Sequence, residues 1–221
     1  MFGGINFNPV IFIGYMLGFV IGTTFHEFMH AYSAYLLGDD TARRQGRITL
    51  NPAAHFDPLG FFMCVLLALG VGFIAWGRPV PVNPYALRWG RRGMAIVAVA
   101  GPISNLVFAA ALTPLWRFGN GILPDQVLLV VGNMILVNVL LFAFNLIPIP
   151  PLDGFNILVG ILPNPWTLIL EPLRRYSIPI LLGVVFLVPY LGSSLGVPLN
   201  PVSEVIEPVR SFLMRLLLGI G

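Results

Sequence analysis

The sequence predicts an all-α polytopic membrane protein that also contains a short β element and a re-entrant or interfacial hairpin. Hydrophobic residues make up 57% of the 221-residue chain and charged residues only 10%, which is more apolar than a soluble domain of this size normally is. Five charge-free runs each approach the roughly 20 residues that a helix needs to cross the hydrocarbon core. The net charge of +3 comes from scattered arginines, which argues against a nucleic-acid-binding function.

The chain is expected to form one membrane-embedded domain over residues 1–221, beginning with a helix over residues 9–37. Gly38 is a natural end for that helix, because glycine readily adopts the left-handed conformation that follows helix C-termini. Residues 44–92 follow as an insertion with a β element and an apolar hairpin. The stretch RQGRITLNP within it predicts a short strand that would end at Pro52, although a plain surface hairpin is an equally good interpretation. The edge of such a strand could pair with an unwound peptide chain.

Two further charge-free runs predict core helices over residues 93–117 and 126–147. The second of them ends in the proline cluster PIPP, so residues 148–155 should form a broken segment rather than a continued helix. A fifth run predicts a C-terminal span over residues 176–198. The tail over residues 201–219 places apolar side chains at helical spacing, which predicts an amphipathic helix lying along the membrane interface.

The segment TFHEFMHAY in the first helix contains the pattern HExxH, formed by His26, Glu27 and His30. Residues four apart share a helix face, so both imidazoles can reach one metal ion while Glu27 stays beside it. This spacing suits a zinc-bound water with a carboxylate base next to it. Ionisable groups at membrane depth are costly and usually functional, and the alternative is a structural polar cluster between helices.

A catalytic zinc ion generally takes a third protein ligand and leaves one position for water. Apart from the motif, His55 is the one histidine in the chain. Asp153, in FNLIPIPPLDG, follows the proline break, and broken backbone at membrane depth is tolerated where it lines a cavity or is buried in protein. An aspartate before glycine is usually a turn residue, but the need to complete a zinc site makes Asp153 the predicted third ligand.

These motifs resemble the site-2 protease family of intramembrane zinc metalloproteases, in its compact branch without fused regulatory domains. HEFMH is similar to the zinc helix of that family, NLIPIPPLDG to its second metal motif, and AGPISN to its glycine-proline-asparagine segment. GRITLNPAAHFDPLG resembles the loop after the zinc helix, so the likeness runs from about Gly18 to Phe155. Many relatives have a second glycine where this chain has Phe155, a departure that removes no ligand.

The resemblance implies a site-2-protease-like helix core with one Zn²⁺ per chain, held by the two motif histidines and Asp153, with Glu27 as the base. The implied function is hydrolysis of peptide bonds within or near transmembrane segments of membrane-tethered proteins. The expected partners are a membrane-spanning protein substrate and the lipid bilayer, without nucleic acid, and no particular oligomeric state is predicted.

Two other functions are compatible with the same pattern. One is a catalytically silent protein of this fold that binds transmembrane helices, although the intact Glu27 argues against it. The other is a metal-transit protein, which should carry acidic or histidine residues along several helices. After Glu27 and Asp153, the apolar runs contain none.

Two asparagines carry further predictions. Asn105, in AGPISN, is a candidate donor to the oxyanion that develops during peptide hydrolysis, although an asparagine in a membrane helix is equally often a contact between helices. Asn138 is a candidate contact to the substrate backbone. His55 and Asp57, in NPAAHFDP, are either groups near the cleft or, as we favour, parts of a local structural cap.

The arginines and the metal ligands together predict the topology. If the first four runs all crossed the membrane, the predicted ligands would fall on opposite faces, so one run must fail to cross. The short run over residues 59–76, which glycines interrupt, is the best candidate. Leaving the tail aside, one face then carries nine arginines and the other only Arg117. The nine are Arg43, Arg44, Arg47, Arg78, Arg88, Arg91, Arg92, Arg174 and Arg175. The positive-inside rule thus predicts an outside N-terminus and a site that opens toward the cytoplasm of a prokaryotic cell.

Overall fold

The computed structural model describes residues 7–71 and 74–219, and none of these residues lies in a β-strand. Ten α-helices are present in this part of the chain. In chain order they are α1 (Pro9–Leu36), α2 (Thr41–Arg44), α3 (Pro58–Ala68), α4 (Arg91–Phe118), α5 (Asp125–Asn145), α6 (Asp153–Ile161), α7 (Asn164–Leu170), α8 (Ser177–Leu182), α9 (Val188–Ser194) and α10 (Pro201–Leu218). Short 3-10 turns at Pro52–Ala54 and Glu171–Tyr176 and a π turn at Gly183–Leu187 complete the helical structure.

Four helical stretches are long and apolar enough to cross a membrane: Pro9–Leu36, Arg91–Phe118, Asp125–Asn145 and Asn164–Ser194. The first three pack against one another, and the fourth is mostly exposed. Large apolar side chains on the outside of such a bundle face lipid rather than water. The all-α class is therefore confirmed for the described residues, together with four helices that are candidates to cross a membrane.

The starts of two helices follow from their first residues. Asn8 accepts hydrogen bonds from the backbone of Val10 at 2.9 Å and of Ile11 at 3.3 Å, and Pro9 occupies the first helical position of α1. Asp57 caps α3 in the same way, accepting from the backbone N–H of Gly60 at 2.7 Å. Both are standard N-caps followed by proline. Asp57 thus has the structural capping role that the sequence analysis favoured.

The apolar run after Pro58 packs along α1 and returns to its own starting point. The Sγ atom of Cys64, in α3, lies 3.8 Å from the Sδ atom of Met16, which is ten residues before His26 and so about 15 Å from it along α1. A Cβ added to Gly60 would lie only 2.0 Å from the backbone oxygen of Trp76. Because its two ends are in contact, this run does not carry the chain across the bundle. Gly72 and Phe73, which belong to the same run, lie outside the described residues.

The predicted strand over residues 44–52 was wrong. In this part of the described chain, Arg44 ends α2 and the backbone N–H of Arg47 turns back to the carbonyl of Ala42 at 2.9 Å. Asn51 caps the following 3-10 turn by accepting from the N–H of Ala53 at 3.0 Å. A strand needs a neighbouring strand for its backbone hydrogen bonds, and here the backbone groups bond locally instead.

The amphipathic tail also differs from its prediction. Instead of lying flat at the membrane interface, α10 packs lengthwise against α5. Near its start Ile206 contacts the cluster around Ile147, and near its end Leu217 packs into the cluster that contains Val131. Arg117, at the end of α4, donates hydrogen bonds to the last carbonyls of α10, including a 2.8 Å bond to that of Leu217. This contact satisfies carbonyl groups that a helix C-terminus leaves unpaired.

Candidate metal centre

Three buried or nearly buried side chains converge on one point between α1 and α6. The Nε2 atoms of His26 and His30 are 2.9 Å apart, and they lie 3.1 and 3.3 Å from Oδ2 of Asp153. Both histidines are buried and Asp153 is nearly so. The structure thus brings together the three residues that the sequence predicted as metal ligands.

The local sequence explains how Asp153 reaches the two histidines. The prolines after Ile147 end α5, and Asp153 is the first residue of α6. The next residue, Gly154, packs so tightly that an added Cβ would lie 2.3 Å from the carbonyl oxygen of Leu146. Only a glycine lets the new helix start this close to the end of α5. Phe155 follows as a fully buried side chain, with the guanidinium of Arg174 5.1 Å from its ring centre.

Each imidazole is oriented by a hydrogen bond from its other nitrogen. The Nδ1–H of His26 donates to Oδ1 of Asn105 at 2.8 Å, and the Nδ1–H of His30 donates to the carbonyl of Val97 at 2.8 Å. These acceptors fix the proton on Nδ1 in both rings, so each Nε2 presents a lone pair. Two lone pairs and a carboxylate oxygen therefore face one another.

Such an arrangement fits a bound cation. Oδ2 of Asp153 is buried without a hydrogen-bond donor among the described residues, and a buried polar atom of this kind needs a partner. Ligand atoms around a tetrahedral zinc ion are about 3.3 Å apart, and the observed separations of 2.9–3.3 Å come close to this value. Two nitrogens and one carboxylate oxygen are also a donor set that zinc prefers, with one position left for water.

Gly101 of α4 forms the wall behind the two imidazoles. A Cβ on Gly101 would lie 2.4 Å from Nε2 of His30 and 2.8 Å from Cε1 of His26. These rings cannot move aside easily, because their Nδ1 atoms are held by hydrogen bonds. The glycine of the AGPISN segment therefore keeps the metal position free.

Replacing Gly101 by alanine should therefore lower the affinity for zinc, by about 10- to 100-fold, as expected when the orientation of a ligand is disturbed. Isothermal titration of the purified metal-free protein with Zn²⁺ measures this change. Gly183→Ala is the matched control, because an added Cβ there meets no atom within 4 Å. Equal zinc affinities of the two variants would contradict the role of Gly101.

The two asparagines lie in the network that supports the histidines. Asn105 and Asn138 are fully buried. The amide of Asn105 donates to the carbonyl of Gly22 and to Oδ1 of Asn138, both at 3.0 Å, and Asn138 donates to the carbonyls of Gly18 at 3.2 Å and Met134 at 2.9 Å. Three of these four bonds join α1, α4 and α5, and the bond to Met134 stays within α5. This arrangement favours the interhelical role weighed for Asn105 and supports neither its oxyanion role nor a substrate contact by Asn138.

Glu27 lies on α1 between the two histidines and is half-buried. Its Oε2 atom accepts a 2.8 Å hydrogen bond from the backbone N–H of Val80. His55 is buried further along the same surface, with Nε2 bonded to the carbonyl of Thr49 at 2.8 Å, and its own carbonyl accepts from the N–H of Arg78 at 2.8 Å. His55 therefore holds loop segments together.

Sequence reasoning did not find the contacts of Val97, Gly22 and Val80 to this site. Each of these residues acts through its backbone, and a backbone carbonyl or N–H leaves no signature in residue type. Arg47 was counted for topology alone, although its guanidinium is buried beside the same loop. Nothing in the sequence separates Arg47 from the other eleven arginines, so its burial could not be predicted.

Comparisons with known proteins identify relatives along most of the chain. These relatives carry the name "Putative zinc metalloprotease", among them the following three. YwhC of Bacillus subtilis is 36% identical over 206 residues, which cover 87% of this chain and 89% of that protein. Rip2 of Mycobacterium tuberculosis is 31% identical over 188 residues, covering 83% and 70%, and MJ0611 of Methanocaldococcus jannaschii is 29% identical over 176 residues, covering 78% and 83%. No family model and no solved structure matches the chain.

Proposed function

Because this chain belongs to the zinc metalloprotease family of YwhC and Rip2, we propose that it is an intramembrane zinc endopeptidase of the site-2 protease type. Its reaction is the hydrolysis of peptide bonds within or near transmembrane segments of membrane-tethered proteins. The observation that carries this proposal is the convergence of His26, His30 and Asp153 inside a bundle of helices long enough to cross a membrane. Glu27, on the same helix as both histidines, adds the base that such a reaction needs.

The roles of the residues follow from their chemistry. His26, His30 and Asp153 would hold one Zn²⁺ per chain, since their donor atoms all lie within 4.8 Å of one another. Zinc, when bound, lowers the pKa of water and polarises a carbonyl group. Glu27 takes the proton of the attacking water and passes it to the leaving amine. Asn105 and the carbonyl of Val97 keep both imidazoles in the tautomer that leaves Nε2 free.

We further propose that the site opens toward the cytoplasm of a prokaryotic cell and that the substrate is a membrane-spanning protein. Arginines gather at the end of the bundle where α1 ends and α4 begins. The N–H of Arg88 donates to the carbonyl of Leu37 at 2.7 Å, and Arg91 is the first residue of α4. At the opposite end lie Arg117 and Arg215, which is in the last turn of α10. The positive-inside rule then orients the ligand end inward.

The experiment that tests this function uses the purified protein in liposomes, together with a reporter protein that spans the same bilayer. The expected result is cleavage of the reporter in the presence of zinc, its loss on treatment with a chelator, and its return when Zn²⁺ is added. Capture of the reporter without cleavage would instead indicate the silent helix-binding protein. Transfer of Zn²⁺ into sealed liposomes without cleavage would indicate the metal-transit protein.

A further inference from the structure

The backbone between Arg78 and Val80 passes directly beside Glu27. The N–H of Val80 donates to Oε2 of Glu27 at 2.8 Å, and a Cβ added to Gly77 would lie 3.8 Å from Cγ of Glu27. Oε1 of Glu27 accepts no hydrogen bond from the described residues. One carboxylate oxygen is thus held by the loop, while the other is left to receive a proton.

Arg47 lies on the other side of this loop. Its side chain is 5% exposed, and its guanidinium donates to the carbonyls of Arg78 at 2.6 Å and Pro79 at 3.3 Å. Nε of Arg47 has no partner among the described residues. Burial lowers the pKa of Arg47, while the negative charge of Glu27 acts to raise it.

Burying a guanidinium is costly, since its charge loses water. In the described part of the chain, no carboxylate lies within 4.0 Å of Arg47 to form an ion pair. The buried guanidinium of Arg47 bonds instead to the two successive carbonyls of Arg78 and Pro79. Its role is therefore to hold the backbone of this loop in place.

The carbonyl of Pro79 and the N–H of Val80 belong to one peptide group. In a trans peptide group, the C=O and the N–H point in opposite directions within one plane. Arg47 therefore contacts the oxygen of this group on one side, and Glu27 accepts from its N–H on the other. The positive guanidinium, the peptide dipole and the negative carboxylate stand in one row. The two hydrogen bonds to the peptide group therefore polarise and strengthen each other.

Neighbouring contacts fix the rest of the loop. The N–H of Arg78 is bonded to the carbonyl of His55, and the N–H of Asn83 donates to Oδ2 of Asp39 at 2.6 Å. Burial acts to raise the pKa of Asp39, but hydrogen bonds from Thr41 and from the N–H of Asn83 hold it below its usual value. Asp39 thus stays a charged anchor for the loop.

We propose that Arg47 is a positioning residue for Glu27 and acts through the Pro79–Val80 peptide group. This inference rests on the proposed function, in which Glu27 is the base. Arg47 touches none of the reacting atoms. Its contribution is to keep the Val80 N–H directed at Oε2, so that Oε1 is presented to the water that must be deprotonated.

The most direct test removes the N–H itself. Val80→Pro deletes the donor and puts the ring Cδ where the N–H hydrogen pointed at Oε2, so the carboxylate of Glu27 has to leave this peptide group. Val80→Ala shortens the side chain but keeps the N–H, so it is the matched comparison. Val80→Pro is expected to have a kcat about 10- to 100-fold below that of Val80→Ala, the effect typical of residues that orient a catalytic site. KM and the zinc content should be equal in the two.

The second test changes Arg47. Arg47→Met should lower kcat to a similar degree, and Arg47→Lys should recover part of it, because an ammonium group can still donate to one carbonyl. Arg44→Gln is the control, since Arg44 lies three residues earlier with its charge exposed. Since both changes act through one peptide group, the double variant Arg47→Met with Val80→Pro should lose little more than either single one.

A readout without turnover keeps this inference separate from the proposed function. The carboxylate stretching band of Glu27, assigned by its loss in Glu27→Gln, should shift in Val80→Pro and in Arg47→Met relative to Val80→Ala. An unshifted band in both variants would overturn the inference, whether or not the protein cleaves the reporter. Equal kcat values for Val80→Pro and Val80→Ala in an active protein would overturn it as well. If the band shifts in both variants but the wild type does not cleave the reporter, the proposed function fails and the positioning contact stands.

Discussion

Replacing Glu27 by glutamine is expected to lower reporter cleavage by about 10²- to 10⁴-fold or more while leaving the zinc content at the wild-type level. Glutamine has nearly the same shape, and its amide oxygen can still accept the hydrogen bond that the N–H of Val80 donates. It cannot take a proton from water, however. The proposed ligand atoms belong to His26, His30 and Asp153, so binding of the metal should not depend on this change.

The measurements are cleavage rates in liposomes and zinc per chain by atomic absorption. Glu204→Gln is the matched control, because Glu204 lies in the first turn of α10 and is exposed. Equal cleavage by Glu27→Gln and the wild type would end the protease assignment. Loss of zinc from Glu27→Gln would show that Glu27 is a ligand rather than the base.

Replacing Asp153 by asparagine should have the second large effect, the loss of zinc and of activity together. The change removes the one negative charge among the three ligands, whose Oδ2 atom lies 3.1 and 3.3 Å from the two imidazole nitrogens. We expect an affinity for zinc more than about 100-fold below that of the wild type, beyond the range for residues that only orient a ligand.

Asp125→Asn provides the comparison for Asp153, because Asp125 is an exposed aspartate at the start of α5. Zinc titration of both metal-free variants gives the two affinities. A wild-type affinity in Asp153→Asn would place the third ligand elsewhere and would contradict the metal centre described above.

The three candidate ligands could be predicted because charge is scarce in an apolar chain. His26 and His30 stand four residues apart on a helix, which puts them on one face whatever surrounds them. Asp153 stood out since it follows a proline break and few other carboxylates occur outside the arginine-rich loops. In both cases a local feature of the sequence places the side chain: the helical spacing places the two histidines, and the proline break places Asp153.

The packing of α10 and the structure of residues 44–52 could not be predicted in this way. Lipid and protein interior are equally apolar, so a hydrophobic stripe on α10 does not reveal which side faces α5. In the structure, Leu213 and Leu217 are buried while Phe212 and Leu216 are exposed. The strand prediction failed because residue preference cannot supply a partner strand.

The contacts around Glu27 were also outside the reach of the sequence. The loop touches Glu27 through the N–H of Val80, and every residue except proline has such a group. Which N–H reaches the carboxylate depends on how Arg47 and His55 hold the loop, a long-range property of the fold.

The hairpin that begins at Pro58 makes the two sides of α1 unequal. The eleven residues of α3 extend about 16 Å, roughly half of the 30 Å of a typical hydrocarbon core. Through Cys64, α3 contacts Met16 and therefore covers one flank of α1 at that depth. The nearby residues Ile13 and Leu17 are 49% and 42% exposed, so they lie on a flank of α1 that α3 leaves open. On that open flank, a neighbouring helix reaches α1 by displacing lipid alone.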